Sequence, residues 1–498
     1  MHMFDKEVIH PFLESVNTFG THRAFCINDR FYTYTELAET ISKVRIALQR
    51  EKITGKNIGL VANDDIETYA SIFAVWLEGA AYVPIHPKEP MERSLGTIKQ
   101  ANVSLLVNSD TNLKFPLIKT IDSKKLKTGM VNLNPKIVSD DLLAYILFTS
   151  GSTGKPKGVP VSRKNISAFM KAFWETGITI DEKDRCLQCF DLTFDVSVQS
   201  YLASLTKGAC TYTIPYDQIK FSYVYSLMED QHITFGAMAP SMIRYLQPYF
   251  DEIRLPGMRY TLLVAEASPV DLIGKWSKCI PNAEIINFYG PTEITVYCTY
   301  HKFYPKSRDK QYNGIMSIGK AMSGLDIIIV DDKRKICERN QKGELCVSGI
   351  QVTSGYLNNP RLNEKVFFTD KQGRRFYRTG DICFRDAEDD IMYCGRTDSQ
   401  VKIQGFRIEL GEIEFHAREI LQSQNAVAIA FENASGNTEI ALFVEGKGCD
   451  RQSLLKQLKL KMPPYMLPAK IICLSEFPLN RNSKTDRIAL KKLLTEEK

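Results

Sequence analysis

The sequence lacks a long apolar segment. The uncharged stretch of residues 142–154 ends in a Ser/Thr/Gly turn, and the longer one of residues 345–360 is interrupted by Ser, Gln, Thr and Asn, whereas a membrane-spanning helix needs about 20 consecutive apolar residues. The first ten residues, MHMFDKEVIH, carry charges where a secretory signal needs its apolar region. We therefore expect no membrane partner and a cytoplasmic location.

A large excess of one charge is also missing. Lys and Arg total 64 and Asp and Glu total 58, which gives a net charge of +6 over 498 residues without a basic cluster. Hydrophobic residues make up 44% and charged residues 24%, as in ordinary globular domains. These values exclude wholesale disorder and predict no nucleic-acid partner, and the length favours two or more domains.

Recognisable metal and triad motifs are absent as well. The twelve cysteines are scattered except for Cys186 and Cys189, and this CxxC has no second pair or nearby histidine to complete a zinc site. The seven histidines form no HExxH pattern. We interpret Cys186 and Cys189 as buried strand cysteines rather than as a metal or redox pair.

The chain changes its pattern near residue 400. Before that point, short β-rich runs alternate with longer helical patterns, which is typical of an α/β protein with mostly parallel sheets. The last hundred residues instead predict a strand-turn-strand unit, a helix from Leu410, two more strands, a Lys-rich helix and a polar tail. We predict a large α/β domain with mixed and parallel sheets followed by a small α+β domain.

The most informative stretch is a Gly-rich loop between a short apolar strand and an amphipathic helix, residues 145–174. Glycines permit positive φ and close backbone approach, while hydroxyls, lysines and successive N–H groups can bind the oxygens of an anion. Asn165 is expected to cap the helix. Its apolar residues follow helical spacing: Ile166, Phe169, Met170, Phe173 and Trp174.

The alternative for this loop is a flexible surface linker, but linkers are not flanked by a buried strand and an amphipathic helix. The spacing does not match GxxxxGK[ST], and no GxGxxG occurs in the chain. A Walker P-loop and a Rossmann dinucleotide site are therefore excluded.

The segment LFTSGSTGKPKG resembles the phosphate-loop motif of the adenylate-forming superfamily, which includes acyl-CoA ligases, luciferases and the adenylation domains of nonribosomal peptide synthesis. Further motifs of that superfamily follow in order: YTYTEL (32–37), LEGAAYVPIHP (77–87), FDVSV (194–198), NFYGPTE (287–293), GELCVSG (343–349), SGYLNNP (354–360), YRTGD (377–381), GRTDSQVKIQGFRIELGEIE (395–414), PPYMLP (463–468) and NRNSKTDR (480–487). The departures are Gln404, where arginine is usual, and Ser483, where glycine is usual. The resemblance covers essentially the whole chain.

The resemblance implies ATP and Mg²⁺ as cofactors and assigns residues to them. The ATP-binding positions are Thr149, Ser150, Gly151, Ser152, Thr153, Gly154, Lys155, Lys157, Asn287, Tyr289, Thr292, Asp381 and Arg396. Within this set, Tyr289 is expected to stack on adenine, and Asp381 and Arg396 are expected to hold the ribose. Glu293 is expected to be catalytic as the Mg²⁺ ligand. In isolation, Glu293 or Asp381 would be interpreted as a solvated loop carboxylate. The surrounding motifs instead favour the roles in binding Mg²⁺ and ribose.

The resemblance also implies that the C-terminal domain moves. It places an N-terminal domain at residues 1–397, a hinge at Asp398 and a small mobile domain at residues 398–498. Lys484 is expected to be the catalytic lysine that bridges the substrate carboxylate and the α-phosphate; the alternative is an exposed tail lysine. Lys402 and Gly405 are expected in the loop that approaches a phosphopantetheine thiol during thioester formation.

Asp195 points to an amino acid as the substrate. In the superfamily, amino-acid activators carry an Asp in FDxS that pairs with the substrate α-ammonium. The expected substrate-binding positions are Asp195, Val196, Gln199, Ala237, Leu262, Val264, Phe288, Val296 and Tyr297. The bulk of Phe288 and Tyr297 favours a small or medium neutral side chain.

The expected reaction is ATP-dependent formation of an aminoacyl adenylate, release of pyrophosphate, and transfer to the phosphopantetheine thiol of a separate carrier protein. Since the sequence contains no condensation or carrier motif, we expect a stand-alone enzyme of the D-alanine:carrier protein ligase type. Two alternatives are an acyl- or aryl-CoA synthetase, which has no use for Asp195, and a scaffold without catalysis, which would not need Lys484 or Glu293.

Overall fold

The computed structural model describes residues 2–110, 112–127, 129–151, 154–216, 218–304, 310–422, 425–446, 449–479 and 485–496. The chain divides into two compact units. Unit 1 comprises Met1–Pro87, Ile98–Leu147 and Gly158–Thr397, and unit 2 comprises Lys88–Thr97, Phe148–Lys157 and Asp398–Lys498. The Gly-rich loop thus groups with unit 2, and the limits at residues 397 and 398 stay a prediction.

The helices are, in chain order, α1 (His10–Thr18), α2 (Tyr34–Arg50), α3 (Ile66–Leu77), α4 (Met91–Gln100), α5 (Arg163–Trp174), α6 (Asp195–Leu205), α7 (Lys220–Asp230), α8 (Pro240–Leu246), α9 (Val270–Cys279), α10 (Pro360–Val366), α11 (Leu410–Leu421), α12 (Arg451–Leu458) and α13 (Arg487–Glu496). In the described parts of the chain, none of the helices has the length and apolar character that a bilayer crossing requires.

The strands are, in chain order, β1 (Arg23–Ile27), β2 (Arg30–Thr33), β3 (Asn57–Val61), β4 (Ala81–Ile85), β5 (Val103–Asn108), β6 (Thr120–Asp122), β7 (Leu143–Thr149), β8 (Lys157–Ser162), β9 (Arg185–Gln188), β10 (Cys210–Thr213), β11 (Phe235–Met238), β12 (Tyr260–Leu263), β13 (Glu284–Tyr289), β14 (Thr299–Phe303), β15 (Gln311–Tyr312), β16 (Ile315–Met316), β17 (Lys320–Ala321), β18 (Leu325–Val330), β19 (Gly343–Gly349), β20 (Phe367–Thr369), β21 (Arg375–Arg385), β22 (Ile391–Arg396), β23 (Gln400–Ile403), β24 (Phe406–Glu409), β25 (Ala426–Glu432), β26 (Thr438–Glu445) and β27 (Lys470–Leu474).

Unit 1 is built on two large sheets. One has the strand order β17-β14-β13-β12-β11-β9-β10-β1-β2 and the other the order β6-β5-β3-β4-β7-β8. In the first sheet β10, β9, β11, β12 and β13 pair in parallel, so their carboxyl ends lie along one edge. An antiparallel sheet contains β18, β19, β21, β20 and β22. The predicted α/β class is confirmed.

Helix α5 illustrates how local sequence sets an element. Its predicted apolar face is buried, with Ile166, Phe169 and Phe173 all 0% exposed. The predicted cap was wrong: Ser162 is the N-cap residue, and Asn165 is its reciprocal partner three residues later. The Asn165 side chain accepts a hydrogen bond from the Ser162 N–H at 2.9 Å. The two residues therefore form a capping box.

Unit 2 contains an antiparallel hairpin of β23 and β24 and a sheet of order β25-β26-β27. The hairpin turn consists of Gln404 and Gly405, with φ of 51° and 82°, the left-handed pair that suits a two-residue hairpin. The C-terminal region was expected to be a polar tail, but it supplies β27, which pairs in parallel with β26, and α13. That strand becomes recognisable only through its distant partner.

Candidate functional site

The carboxyl edge of the large sheet in unit 1 collects the predicted substrate-binding residues. Ala237 lies in β11, Leu262 in β12 and Phe288 in β13, and Val264 follows β12 directly. These strands are parallel neighbours, so residues near their carboxyl ends reach the same edge. Open α/β sheets bind ligands at this edge.

Asp195 is the first residue of α6 and is only 7% exposed. The positive end of the helix dipole favours a carboxylate at that position. Burial and the charge of Asp195 together raise the pKa of the Tyr145 and Tyr297 hydroxyls well above its ordinary value. Asp195 is therefore a buried carboxyl group with the Tyr145 and Tyr297 hydroxyls within electrostatic range.

Tyr297 and Phe288 form the aromatic wall of this region. Their rings stack with centroids 4.8 Å apart, and both side chains are about 2% exposed. The Tyr297 hydroxyl donates to Oε1 of Gln199 at 3.3 Å, which connects the wall to α6. Val196 is buried on the same helix.

A strained turn connects β13, which contains Phe288, to Tyr297. Thr295 and Val296 have φ of 57° and 69°, a left-handed conformation that is costly for β-branched residues. Gly290 approaches closely, since a Cβ there would lie 2.5 Å from the Val296 carbonyl oxygen. Gln351 stabilises the turn with two hydrogen bonds. Its Nε2 donates to the Tyr297 carbonyl at 2.8 Å, and the backbone carbonyl of Gln351 accepts from Thr295 Oγ1 at 2.7 Å.

Glu293 lies just before that turn and is 1% exposed. Its Oε1 accepts a hydrogen bond of 2.5 Å from the Tyr356 hydroxyl, and the Tyr377 hydroxyl is 3.3 Å from that of Tyr356. In the described residues, no cluster of three or more His, Cys, Asp or Glu could hold a metal ion. Glu293 can therefore supply one hard oxygen ligand, which suits a metal that takes its other ligands from phosphate or water.

Tyr289 and Asp381 meet in unit 1 although they are 92 residues apart. The Tyr289 hydroxyl donates to Asp381 Oδ2 at 2.5 Å, and Arg396 Nη1 donates to Asp381 Oδ1 at 2.8 Å. Asp381 is 5% exposed and Tyr289 8% exposed. The three residues predicted to bind adenine and ribose are therefore in direct contact.

Asn287 is fixed between two serines at the end of β13. Ser268 donates to Asn287 Oδ1, and Asn287 Nδ2 donates to the Ser317 carbonyl, each at 2.9 Å. Thr292 lies in the short helical turn of residues 292–294 that follows this strand. The sequence therefore brings Asn287, Tyr289 and Glu293 to one end of one strand.

The Gly-rich loop of unit 2 contacts carboxylates of the same unit. The Gly151 N–H donates to Glu412 Oε2 at 3.0 Å, and Lys157 forms an ion pair with Glu409 at 3.0 Å. Ser150 Oγ donates to the Arg407 carbonyl and accepts from the Glu409 N–H, both at 2.9 Å. In this structure the loop therefore donates from an N–H and an ammonium group to carboxylates and from a hydroxyl to a carbonyl, and its binding of phosphate stays a prediction.

Glycine is required at two positions of that loop. Gly154 has a φ of 77°, and a Cβ there would lie 2.2 Å from the Phe415 ring. A Cβ on Gly151 would lie 2.1 Å from the Lys155 carbonyl oxygen. Thr149 ends β7, and its buried Oγ1 makes no hydrogen bond to any described residue.

The predicted hinge and thiolation-loop residues lie at the start of the C-terminal part of unit 2. Asp398 accepts a hydrogen bond from the Gln400 N–H at 3.1 Å, so its side chain stabilises the turn before β23. Lys402 lies in β23, and Gly405 is in the turn of the hairpin. Ser152, Thr153 and Lys484 lie outside the described residues.

Sequence reasoning missed several residues of this region. Tyr356 belongs to the quoted SGYLNNP motif, which was a signal for its importance but not for its contact with Glu293. The spacing of residues in the sequence gave no indication that Gln351, Tyr145 and Tyr201 lie in this region. The CxxC pair is buried, and burial raises the pKa of Cys189 to about 12, which agrees with structural cysteines.

Comparisons with known proteins agree on one family. The family model described as AMP-binding enzyme matches residues 12–357. Tyrocidine synthase 3 of Brevibacillus parabrevis is 30% identical over 98% of this chain and 8% of its own length. Surfactin synthase subunit 2 of Bacillus subtilis (strain 168) is 32% identical over 91% of this chain and 13% of its own length. The chain spans about a tenth of the length of the curated relatives it matches.

Solved structures extend the similarity over nearly the whole chain. The Vibrio cholerae adenylation domain AlmE in complex with glycyl-adenosine-5'-phosphate is 25% identical, with a TM-score of 0.86 and coverage of 98% of this chain and 97% of that one. A nonribosomal peptide synthetase protein containing adenylation and PCP domains shares the fold at 22% identity, with a TM-score of 0.84 and coverage of 97% and 83%.

Proposed function

Because the chain belongs to the AMP-binding enzyme family and is an adenylate-forming ligase, we propose that its substrate is an amino acid, which it converts to an aminoacyl adenylate. Asp195 carries this proposal. A carboxylate that is 7% exposed at the start of α6 suits an α-ammonium, because a buried charge is stabilised by an opposite charge. A glycyl adenylate is bound to the solved relative AlmE.

In the proposed first step, a carboxylate oxygen of the amino acid attacks the α-phosphorus of ATP. The new bond is acyl oxygen to phosphorus, and the bond that breaks joins the α-phosphorus to the bridging oxygen, so pyrophosphate leaves. The substrate carboxylate is ionised near pH 7, and no general base is required. Catalysis then depends on positioning and on stabilising the negative charge.

The proposed nucleotide site uses residues already in contact. Asp381, held by Tyr289 and Arg396, would accept hydrogen bonds from the ribose hydroxyls. The Tyr289 ring would lie against adenine. Asn287 and Thr292, which border the same turn, would complete this part of the site.

Mg²⁺ fits Glu293 as a single protein ligand. A buried carboxylate beside a strand end supplies the hard oxygen that Mg²⁺ prefers, and the Tyr356 hydroxyl fixes its orientation. When bound, the ion would neutralise charge on the phosphate oxygens. Glu293 would hold the ion, and Tyr356 would hold Glu293.

The Gly-rich loop and Lys484 would supply the remaining positive charge. The N–H groups, hydroxyls and ammonium groups of residues 149–157 are the donors that phosphate oxygens require. Lys484 would bridge the substrate carboxylate and the α-phosphate. Loss of one such donor typically slows a reaction about 10²- to 10³-fold.

The proposed second step transfers the aminoacyl group to the phosphopantetheine thiol of a separate carrier protein. The thiolate attacks the acyl carbon, a thioester forms and AMP leaves. A PCP domain occurs in the fold relative described above, which supports a carrier as the acceptor. Asp398, Lys402 and Gly405 are the proposed hinge and thiolation-loop residues for this step, with residues 398–498 as the mobile domain.

Amino-acid-dependent exchange of pyrophosphate into ATP tests the proposal. A panel of D- and L-amino acids is compared with aryl and fatty acids, and Lys484→Ala serves as the catalytic control. We expect exchange with amino acids and a loss of at least about 10²-fold in the variant. Exchange with carboxylic acids alone would favour the acyl- or aryl-CoA synthetase alternative.

A further inference from the structure

Gln199 has an unsatisfied hydrogen-bond donor in the interior of unit 1. The residue is 0% exposed. Its Oε1 accepts from the Tyr297 hydroxyl at 3.3 Å, but its Nε2 makes no hydrogen bond to any described residue. Leaving a buried donor unsatisfied is unfavourable, because the group has lost its hydrogen bonds to water without replacing them. Such a group in a binding region therefore points to a ligand with an acceptor.

Gln199 lies one helical turn beyond Asp195 on α6. Residues four apart occupy the same face of an α-helix, about 5 to 6 Å from each other. If Asp195 binds the α-ammonium, Gln199 faces a side-chain atom a few bonds beyond the α-carbon. The unsatisfied donor is therefore placed to bind the substrate side chain.

A second buried polar group lies near Asp195. Tyr145 is 0% exposed, and its hydroxyl makes no hydrogen bond to any described residue. Burial raises the pKa of this hydroxyl, and the nearby carboxyl group of Asp195 raises it further. The neighbouring Tyr82 and Tyr201 hydroxyls, by contrast, lie 3.2 Å apart and satisfy each other.

The electrostatic surroundings favour a neutral acceptor. Among the described residues, the charged or titratable groups that act on the Tyr145 and Tyr297 hydroxyls are Asp195, Tyr82 and Cys189, and none of them is a Lys, Arg or His. An acidic side chain would bring a second negative charge close to the carboxylate of Asp195, and like charges repel. A basic side chain carries only N–H donors, so it could not accept the hydrogen bond that Gln199 Nε2 offers.

We propose that the activated amino acid carries a hydroxyl or carboxamide in its side chain, whose oxygen accepts a hydrogen bond from Gln199 Nε2 and contacts the Tyr145 hydroxyl. This inference rests on the proposed function and specifies its substrate class. It makes Gln199 and Tyr145 specificity-determining residues. A purely aliphatic substrate would leave both polar groups unsatisfied.

The test is pyrophosphate exchange with the full chain on pairs of amino acids of similar shape, each as both enantiomers: threonine and valine, serine and 2-aminobutyrate, asparagine and leucine, glutamine and methionine. We expect the preferred substrate to exceed its apolar partner about 10²-fold in kcat/KM. Gln199→Met should remove most of that preference, chiefly by lowering kcat/KM for the polar member. The exposed Gln372→Met is the matched control and should keep it.

Tyr145→Phe retains the ring and removes only the hydroxyl, so it provides a second test if Gln199→Met fails to fold. It should reduce the preference by about 10-fold. Equal rates with polar and apolar partners in the unmodified enzyme would overturn the inference and would indicate that retained water satisfies Gln199. Exchange with carboxylic acids but with no amino acid would instead overturn the proposed function, and this inference with it.

Discussion

The Tyr356 hydroxyl donates a 2.5 Å hydrogen bond to Oε1 of Glu293 across 63 residues of sequence. Glu293 is the carboxylate proposed to hold Mg²⁺, and this contact leaves its orientation little freedom. A hydrogen bond to a charged group contributes about 1.5 to 3 kcal/mol. Tyr356 is therefore a positioning residue for the proposed metal ligand.

Tyr356→Phe should reduce pyrophosphate exchange by about 10-fold and should raise the Mg²⁺ concentration needed for half-maximal rate. The reason is that an unrestrained Glu293 binds the ion with poorer geometry. The measurement is the exchange rate as a function of Mg²⁺ concentration. Tyr249→Phe, at a tyrosine that is 53% exposed, is the control, and an unchanged Mg²⁺ dependence in Tyr356→Phe would contradict the positioning role.

Asp195→Ala should raise the KM for the amino acid steeply with little effect on the KM for ATP. Loss of the anionic partner of a buried ammonium corresponds to roughly 3 to 5 kcal/mol, or about 10²- to 10³·⁵-fold in kcat/KM. The exposed Asp230→Ala controls for loss of a negative charge. A des-amino analogue should improve relative to the amino acid in Asp195→Ala. If the unmodified enzyme uses both compounds equally well, Asp195 does not recognise an ammonium.

Gln351→Leu should destabilise the chain by about 1 to 3 kcal/mol, because the Tyr297 carbonyl loses its buried donor. It should also lower exchange activity, since the left-handed conformation of Val296 then lacks support. Urea unfolding and exchange rates measure the two effects, and Gln372→Leu on an exposed loop is the matched control. Full stability together with full activity would show that the turn maintains itself without Gln351.

The stability of the chain should depend on pH through Asp64. Burial raises the pKa of this carboxyl to about 7, although Thr213 donates a hydrogen bond to it at 3.0 Å. In an unfolded chain the pKa of an Asp carboxyl is near 3.9. Between about pH 4 and 7 the native state therefore keeps Asp64 protonated, whereas the unfolded state has lost that proton. The free energy of unfolding therefore falls as pH rises through this window and levels off above it.

Asp64→Asn should flatten this dependence and should be more stable than the unmodified chain at pH 8, by up to about 4 kcal/mol, since three pKa units correspond to about that free energy. Denaturant unfolding at pH 5, 6, 7 and 8 makes the comparison. The exposed Asp332→Asn should follow the unmodified chain. If the free energy of unfolding changes with pH in the same way for Asp64→Asn and the unmodified chain, Asp64 is ionised in the native state over the whole range from pH 5 to 8.

The sequence by itself determined those features that depend on residues close together in the chain. The spacing of Ile166, Phe169 and Phe173 predicted the buried face of α5, because helical periodicity is a local property. The Gly-rich loop predicted a strand before it and an amphipathic helix after it, and both are present, but the structure also has strand β8 (Lys157–Ser162) between the loop and α5. The motif series identified the superfamily and the ligase class, and the match to the AMP-binding enzyme family confirmed both.

Tertiary structure alone decided which of these segments meet. No periodicity relates Gln199 to Tyr297, Gln351 to the turn at Val296, or Tyr356 to Glu293, because these pairs are brought together by sheet topology. Strand β27 was expected to be polar tail for the same reason: an edge strand is defined by its pairing partner β26, which is distant in sequence. Local sequence supplies the chemical groups, and non-local packing decides which of them are buried, oriented or left with an unsatisfied hydrogen bond.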